Sequence, residues 1–429
     1  MTQGDIHNRQ NTLQRLKEQI KTSPDISDRD KKLLIHGNSN FPSFLTFMQN
    51  KDHSISRIIR YLRTTKKVAE YTSWNFEEVS KTKLTELIGD LNTDRITKNN
   101  DEPYADSTKR EIKKGIRKLY TDYFESYSEE LNIQDSFNGE EVINFTLTID
   151  RSYTDPDRLP TPYTVRKLIE NMDKPRDKAY AMLLWSTGGR HGEILGLKWK
   201  DVSFAGATGT VTFRDTKTGG DHTVPMAEAL PFVRMHMMND KESSDQDTYL
   251  FRSQQSGEQY SGSGAAKILE RAREKTEISE KIKTNPHAFR KARTVYWIRQ
   301  GKNEAWICKH MNWKPGSNVV AHYARVAKED VEKGVAEHLG LDSEDSEEDE
   351  AGVLTPSECH ECGEINSFEA DTCRSCGEAL SAGDLIQKHQ IEKQTTRFKD
   401  EIIRSDTDFQ PESINEKAKK FVKKEFNLD

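Results

Sequence analysis

The feature that most restricts how this chain can fold is a series of phosphate-seeking side chains spread between residues 190 and 323. In order they are Arg190 with Glu193 in STGGRHGEILGLKW, Lys217 in RDTKTGGDHTVPM, His287 and Arg290 in NPHAFRKAR, Trp313 in HMNWKPGS and Tyr323 in AHYARV. Two guanidinium groups, an ammonium, an imidazole and an indole N–H can each donate to phosphate oxygens. A tyrosine hydroxyl that follows them is a candidate nucleophile toward the phosphorus they would hold. Arg190 and Arg290 are 100 residues apart, so only tertiary folding can bring them to one phosphate.

Taken singly, each residue has an ordinary explanation. Arg190 and Glu193 at i and i+3 form a common helix salt bridge, and His287 and Arg290 at the same spacing read alone as an ordinary surface pair. Lys217 sits beside a glycine turn, where lysines usually decorate a strand edge. Trp313 is equally at home as a buried structural indole. The signal is the complete set in one order.

That order resembles the tyrosine recombinase, or phage-type integrase, family, whose site runs Arg, Lys, His-x-x-Arg, His or Trp, Tyr. Gly188-Gly189-Arg190 with Glu193 is similar to the family's T-G-x-R-x-x-E, and His287-Ala288-Phe289-Arg290 to its H-x-L-R. The chain departs from the commonest form at Lys291, where many members carry a second histidine; Lys291 is not counted as catalytic. The resemblance implies that Arg190 and Arg290 clamp the scissile phosphate, with Glu193 supporting Arg190. Fixed cations relieve charge on the nonbridging oxygens as the phosphorus is attacked. It assigns Lys217 the protonation of the departing 5′ oxygen, helped by a pKa lowered among cations. His287 hydrogen-bonds the phosphate or accepts the tyrosine proton, Trp313 donates its indole N–H, and Tyr323 forms a 3′-phosphotyrosyl link. No ATP and no catalytic metal are implied, because each transesterification conserves a phosphodiester. The implied partners are double-stranded DNA attachment sites, three further copies of the chain in a tetramer, and accessory DNA-bending proteins. NWKPGS, YARVAKEDV and the cysteines look most similar to integrases of archaeal proviruses and plasmids. A DNA-relaxing topoisomerase of type IB-like chemistry and a non-catalytic DNA-binding regulator on the same fold are the alternative readings.

The expected fold is mainly α: a helical core-binding domain, an α-rich catalytic domain with a small β-hairpin or sheet, a zinc ribbon and a helical tail. Residues 1–37 read as an N-terminal helical extension and 38–128 as the DNA-clamping domain. In the latter, FPSFLTFMQN, SISRIIRYLRTTKKVAEYT, SKTKLTELIGDL and DSTKREIKKGIRKLYTDYF are amphipathic with Ser, Thr or Asp caps. Arg57, Arg60, Arg63 and Lys66 recur every third residue, and Lys109, Arg110, Lys113, Lys114, Arg117 and Lys118 form a second band. Alone, either stripe is a solvated face; beside a phosphate-handling domain the pair is expected to contact DNA. A linker over 129–158 leads to the catalytic domain at 159–340. There a Thr-capped helix starts at PTPYTVRKLIENM, AYAMLLW is a core helix, and VTFRDTKTGGDHTVPM is a hairpin turning at Gly219-Gly220. Further helices are expected over 263–275, 286–300 and 317–338.

Composition enters where charge must be reconciled with DNA. The formal charge is −6, but residues 342–350 (DSEDSEEDE) carry seven carboxylates, without which it becomes +1. That run is expected to be a disordered spacer at 341–354, so the mean charge says little about the rest. A charged fraction of 32% and no apolar run of membrane length, with an N-terminus unlike a signal peptide, point to a cytoplasmic protein that does not enter membranes.

Cysteine usage fits that compartment. Cys308 in WICKHMNW reads as a buried free thiol. Cys359, Cys362, Cys373 and Cys376 form two CxxC pairs, which suit one structural Zn2+ held by four thiolates in a ribbon over 355–381. Gly363 and Gly377 each follow a second cysteine, where a knuckle turns tightly. The tail at 382–429 ends in the Lys-rich INEKAKKFVKKEF.

Overall fold

The structure is a computed structural model. It describes residues 8–98, 100–127, 155–205, 208–214, 219–253, 255–314 and 353–380, with single positions such as Thr216 besides. Lys217, Tyr323, the expected helix at 317–338, the acidic run, the tail at 382–429 and most of the linker lie outside the described residues. The chain divides into two compact units, residues 3–152 and the residues from Tyr153 onward. Each is treated by itself.

The first unit is helical: α1 (Arg9–Thr22), α2 (Asp28–Lys31), α3 (Phe44–Asn50), α4 (Ile55–Tyr71), α5 (Lys81–Asn92) and α6 (Asp106–Arg117). Serine hydroxyls at Ser27, Ser43 and Ser80 accept backbone N–H groups that α2, α3 and α5 would otherwise leave unpaired. A π-helical turn, Lys118–Phe124, continues α6 and buries Tyr120, Tyr123 and Phe124. Tyr123 donates to the Pro42 carbonyl at 2.8 Å, which ties this last turn to the start of α3. Gly115 lets α6 approach α4 closely; a Cβ there would fall 1.9 Å from the Thr64 hydroxyl.

The helical segment before residue 38 packs into this unit: Leu13, Leu16 and Ile20 of α1 share one apolar core with Leu62 and Val68 of α4 and Ile116 of α6. The polar look of α1 hid this, because only one narrow stripe of a 14-residue helix is buried.

The second unit centres on α8 (Pro175–Thr187), buried throughout from Ala179 to Thr187. Around it lie α7 (Pro162–Glu170), α10 (Leu230–Asn239) and α12 (Pro286–Arg299). The short helices α9 (His191–Leu195) and α13 (Glu304–His310) and the longer α11 (Gly262–Glu274) complete the domain. The Thr161 hydroxyl caps α7 by accepting from the Thr164 N–H. The hairpin forms as expected, β2 (Thr210–Phe213) against β3 (His222–Pro225), and β1 (Val202–Ser203) adds a third antiparallel strand. Val211, Phe213 and Val224 turn inward, while the Thr212 and Thr223 hydroxyls pair at 2.9 Å on the other face.

In the cysteine module, strands β4 (Ser357–Glu358) and β5 (Ile365–Asn366) pair antiparallel, and the module lies against α8 and α10. Leu354, placed in the expected spacer, is buried. A module this small cannot enclose Phe368 in a core of its own, so that ring packs outward on Phe232. Among the described residues, no helix is long and apolar enough to cross a membrane.

Candidate active site and cysteine centre

The end of α8 sets the geometry. Gly188 turns the chain with a positive φ of 59°, and any Cβ there would meet the Met311 side chain at 2.7 Å. The chain then enters α9 at Arg190. The Glu193 carboxylate, with only 7% of its side chain exposed, accepts from the Arg190 backbone N–H at 2.9 Å and from Arg190 Nη1 at 2.7 Å. The plain salt bridge is therefore real, and it is also what holds the guanidinium in place.

Arg290 is the residue that gathers the rest. It is buried on α12, and it donates from Nη1 to the Gly188 carbonyl at 2.5 Å and from Nη2 to the Met311 carbonyl at 2.6 Å. Its guanidinium lies 5.2 Å from the centre of the Trp313 ring. Gly188 precedes Arg190 by two residues, so the Arg290 guanidinium is tethered two Cα steps of about 3.8 Å from Arg190 along the chain. One side chain thus joins the Arg190 turn, the start of the Met311–Trp313 loop and α12 itself.

The hairpin turn reaches the same loop. Asn312, in the left-handed region with φ of 51°, donates from its side-chain amide to the Thr216 hydroxyl at 2.8 Å. Thr216 closes the glycine turn through its own N–H to the Gly220 carbonyl at 3.0 Å. Lys217 follows directly in sequence. On the other side of the hairpin His222 donates to the His310 carbonyl at 2.9 Å.

His287 sits one helical turn before Arg290 on α12 and keeps an exposed edge. Partial desolvation, then the nearby Lys291 and Arg290 cations, lower its pKa below the ordinary imidazole value. That shift favours the neutral imidazole, the form able to accept a proton. Cys308 is buried against Ile307 and Met311, and burial raises its thiol pKa. It is a packing residue, as its sequence context suggested.

Beneath this layer is a group that the sequence did not reveal. Arg293, fully buried on α12, pairs with Glu228 at 2.9 Å. Its guanidinium stacks 4.0 Å from the Trp297 ring centre, 4.9 Å from Tyr296 and 5.2 Å from Trp185. Glu228 also accepts from the Ser186 hydroxyl at 2.8 Å. The second arginine of HAFRKAR was the available signal, but its partner is 65 residues away.

In the helical unit the two basic bands differ. Arg57, Arg60 and Arg63 are exposed, while Lys66 is half-buried and paired with Glu70 at 2.5 Å. Lys109, Arg110, Lys113, Lys114 and Arg117 are all half-buried. Lys109 pairs with Asp94 at 2.7 Å, and Lys114 with Glu111 at 2.7 Å. Arg60 reaches across to the same Glu111 at 3.1 Å. The exposed arginines of α4 are the better DNA candidates.

The four cysteines converge: their Sγ atoms all lie within 4.8 Å of one another, with Cys359–Cys376 and Cys362–Cys373 each at 3.6 Å. Thiolates about 2.3 Å from a tetrahedral ion stand at about this spacing, so the set fits a closed four-sulfur metal site. The two knuckles repeat one geometry. Gly363 N–H donates to Cys359 O and Gly377 N–H to Cys373 O, both at 2.8 Å. Both glycines have positive φ, 70° and 76°. Backbone N–H groups of Cys376 and Ser375 lower the Cys373 thiol pKa, while burial and the neighbouring sulfurs raise that of Cys376.

A mainly helical domain with a small antiparallel sheet and two arginines gathered at the end of a buried helix has the architecture of an integrase catalytic domain. Comparison with known proteins agrees. Residues 161–330 match the phage integrase family. It is 31% identical over 153 residues to the tyrosine recombinase XerA of Pyrococcus furiosus, covering 34% of this chain and 51% of that protein. It is 29% identical over 144 residues to a probable integrase/recombinase of Methanocaldococcus jannaschii, covering 32% and 42%. The chain thus spans about half the length of the curated relatives it matches. Among solved structures, the fold is similar to XerH recombinase bound to a palindromic difH substrate, with TM-score 0.52, 14% identity and coverage of 78% and 97%. It is also similar to a lambda integrase dimer bound to a COC′ core site, with TM-score 0.50, 15% identity and coverage of 66% and 77%.

Proposed function

We propose that this protein is a site-specific DNA recombinase that cuts and rejoins DNA strands through a 3′-phosphotyrosyl intermediate. The observation that carries this reading is the double tether of Arg290 to the Gly188 and Met311 carbonyls, which gathers Arg190, Arg290 and Trp313. Two guanidinium groups held this way are preorganised for charge that builds on a phosphate as it is attacked. Tyr323 is the proposed nucleophile, and its oxygen displaces the 5′ oxygen of the scissile phosphodiester. Lys217, next in sequence after Thr216, is proposed to protonate that leaving oxygen. His287, whose surroundings favour the neutral imidazole, takes the tyrosine proton. The family and the DNA in both solved relatives support duplex attachment sites as substrate. A tetramer on two sites is the proposed active assembly, and Zn2+ the proposed occupant of the cysteine centre, with a structural role.

A nicked duplex drawn from direct repeats flanking the gene tests the reading. The wild-type protein is expected to form an adduct that survives denaturation, and Tyr323→Phe to bind the same DNA without forming it. An adduct formed by the Phe variant would overturn the nucleophile assignment.

The α4 arginines give a second prediction. Neutralising Arg57, Arg60 and Arg63 together should flatten the plot of log affinity against log salt, by about 0.9 per lost phosphate contact. Neutralising Lys109 and Lys114 should instead lower the melting temperature, because both are held in ion pairs. Equal slopes for the arginine variant and the parent would leave α4 a solvated face.

A further inference from the structure

We propose that the metal-loaded cysteine ribbon is a brace for the integrase domain, docking on α7, α8 and α10 through Glu364, Phe368 and Glu369. Three contacts define the seat. Lys178 at the start of α8 reaches both oxygens of Glu369 at 2.8 Å, with each side chain less than a fifth exposed. Arg234 on α10 pairs with Glu364 at 2.8 Å. Between these, the Phe368 ring packs 5.5 Å from the fully buried Phe232 of α10, and the Arg166 guanidinium of α7 lies 5.5 Å from its centre.

The dependence on metal follows from how Glu364 is held. It stands directly after Gly363 of the first knuckle, and its carbonyl accepts from the Cys359 N–H at 2.9 Å. Its carboxylate also takes Arg374, from between the two cysteines of the second knuckle, at 3.0 Å from Nε. Asn366, beside that carboxylate, accepts from the Arg374 N–H at 3.1 Å. The residues that face the domain are thus fixed by closure of both knuckles, and in so small a module the thiolate–metal bonds supply that closure. Losing the metal frees Glu364 and Phe368 together. Lys178 lies ten residues before Gly188, about 15 Å along the helix. The ribbon therefore steadies the far end of the helix that delivers Arg190.

Hydrogen exchange on the full-length protein tests this. Zinc content is measured first, with one ion per chain expected. Chelation with EDTA should then raise exchange in peptides covering 175–187 and 230–239 by about tenfold. The domain-side double substitution Lys178→Ala with Arg234→Ala leaves every cysteine in place. It should retain zinc and show the same acceleration without chelator. A chain that takes up no zinc, helices indifferent to its removal, or a double variant that exchanges like the parent would each overturn the brace. None of these readouts depends on DNA cleavage, so they stand apart from the recombinase reading.

Discussion

Replacing Arg290 by alanine should lower strand cleavage of a nicked substrate by at least about 10²-fold, the loss expected when one preorganised charge donor is removed from a developing anion. The expected loss has two physical parts. The fork is proposed to place positive charge at the phosphate, and it also ties the Gly188 and Met311 carbonyls, at 2.5 and 2.6 Å. Arg290→Lys keeps the charge and loses the second part, because an ammonium is a point donor that cannot span two carbonyls while facing a phosphate. The lysine variant should therefore remain close to the alanine variant in cleavage. DNA affinity, set mainly by many backbone contacts, should change much less. A lysine variant that restores cleavage would mean that charge alone matters and that the tether is incidental.

That tether also marks the limit of what the sequence could tell. The hairpin was legible because alternation and a Gly-Gly turn are local: Gly219 and Gly220 both take positive φ, 94° and 70°. The core helix α8 was legible because AYAMLLW has no polar face to hide. Two CxxC pairs announce convergence by spacing alone. The arginines announced a site only through their order, while the bonds that assemble it run from Arg290 to Gly188 and from Asn312 to Thr216. Those pairs are 102 and 96 residues apart. No periodicity encodes which carbonyl meets which guanidinium. The same holds for α1, whose stripe of Leu13, Leu16 and Ile20 gave a helix without naming its partner, and for Phe368, whose partner lies across an acidic run. The basic bands show the opposite limit. Spacing in α6 shows the lysines together but not the carboxylates of Asp94 and Glu111 that already occupy two of them.

The largest effect on stability is expected at the buried pair beneath the site. Arg293 is 0% exposed, and among the described residues its Nε and Nη1 have no hydrogen-bond partner. Its charge is balanced by Glu228 and by the faces of Trp185, Tyr296 and Trp297. Aromatic faces help a desolvated cation by about 2 kcal/mol at best, which cannot replace a carboxylate. Glu228→Gln should therefore cost about 3–5 kcal/mol of stability in denaturant unfolding, the usual penalty for stranding a buried charge. Glu228→Gln with Arg293→Met removes both charges and leaves a flexible apolar side chain among the rings, so most of that loss should return. Stability and activity should separate in the double variant. Arg293 stands one helical turn beyond Arg290 on α12, and Glu228 is hydrogen-bonded to Ser186, two residues before Gly188. The pair thus sets α12 against the end of α8, the same two elements that Arg290 joins above. If that alignment needs the ion pair, the refolded double variant should still cleave slowly while binding DNA normally. A Glu228→Gln cost below about 1 kcal/mol would show that solvent reaches the guanidinium and that the pair is not what holds these helices in register.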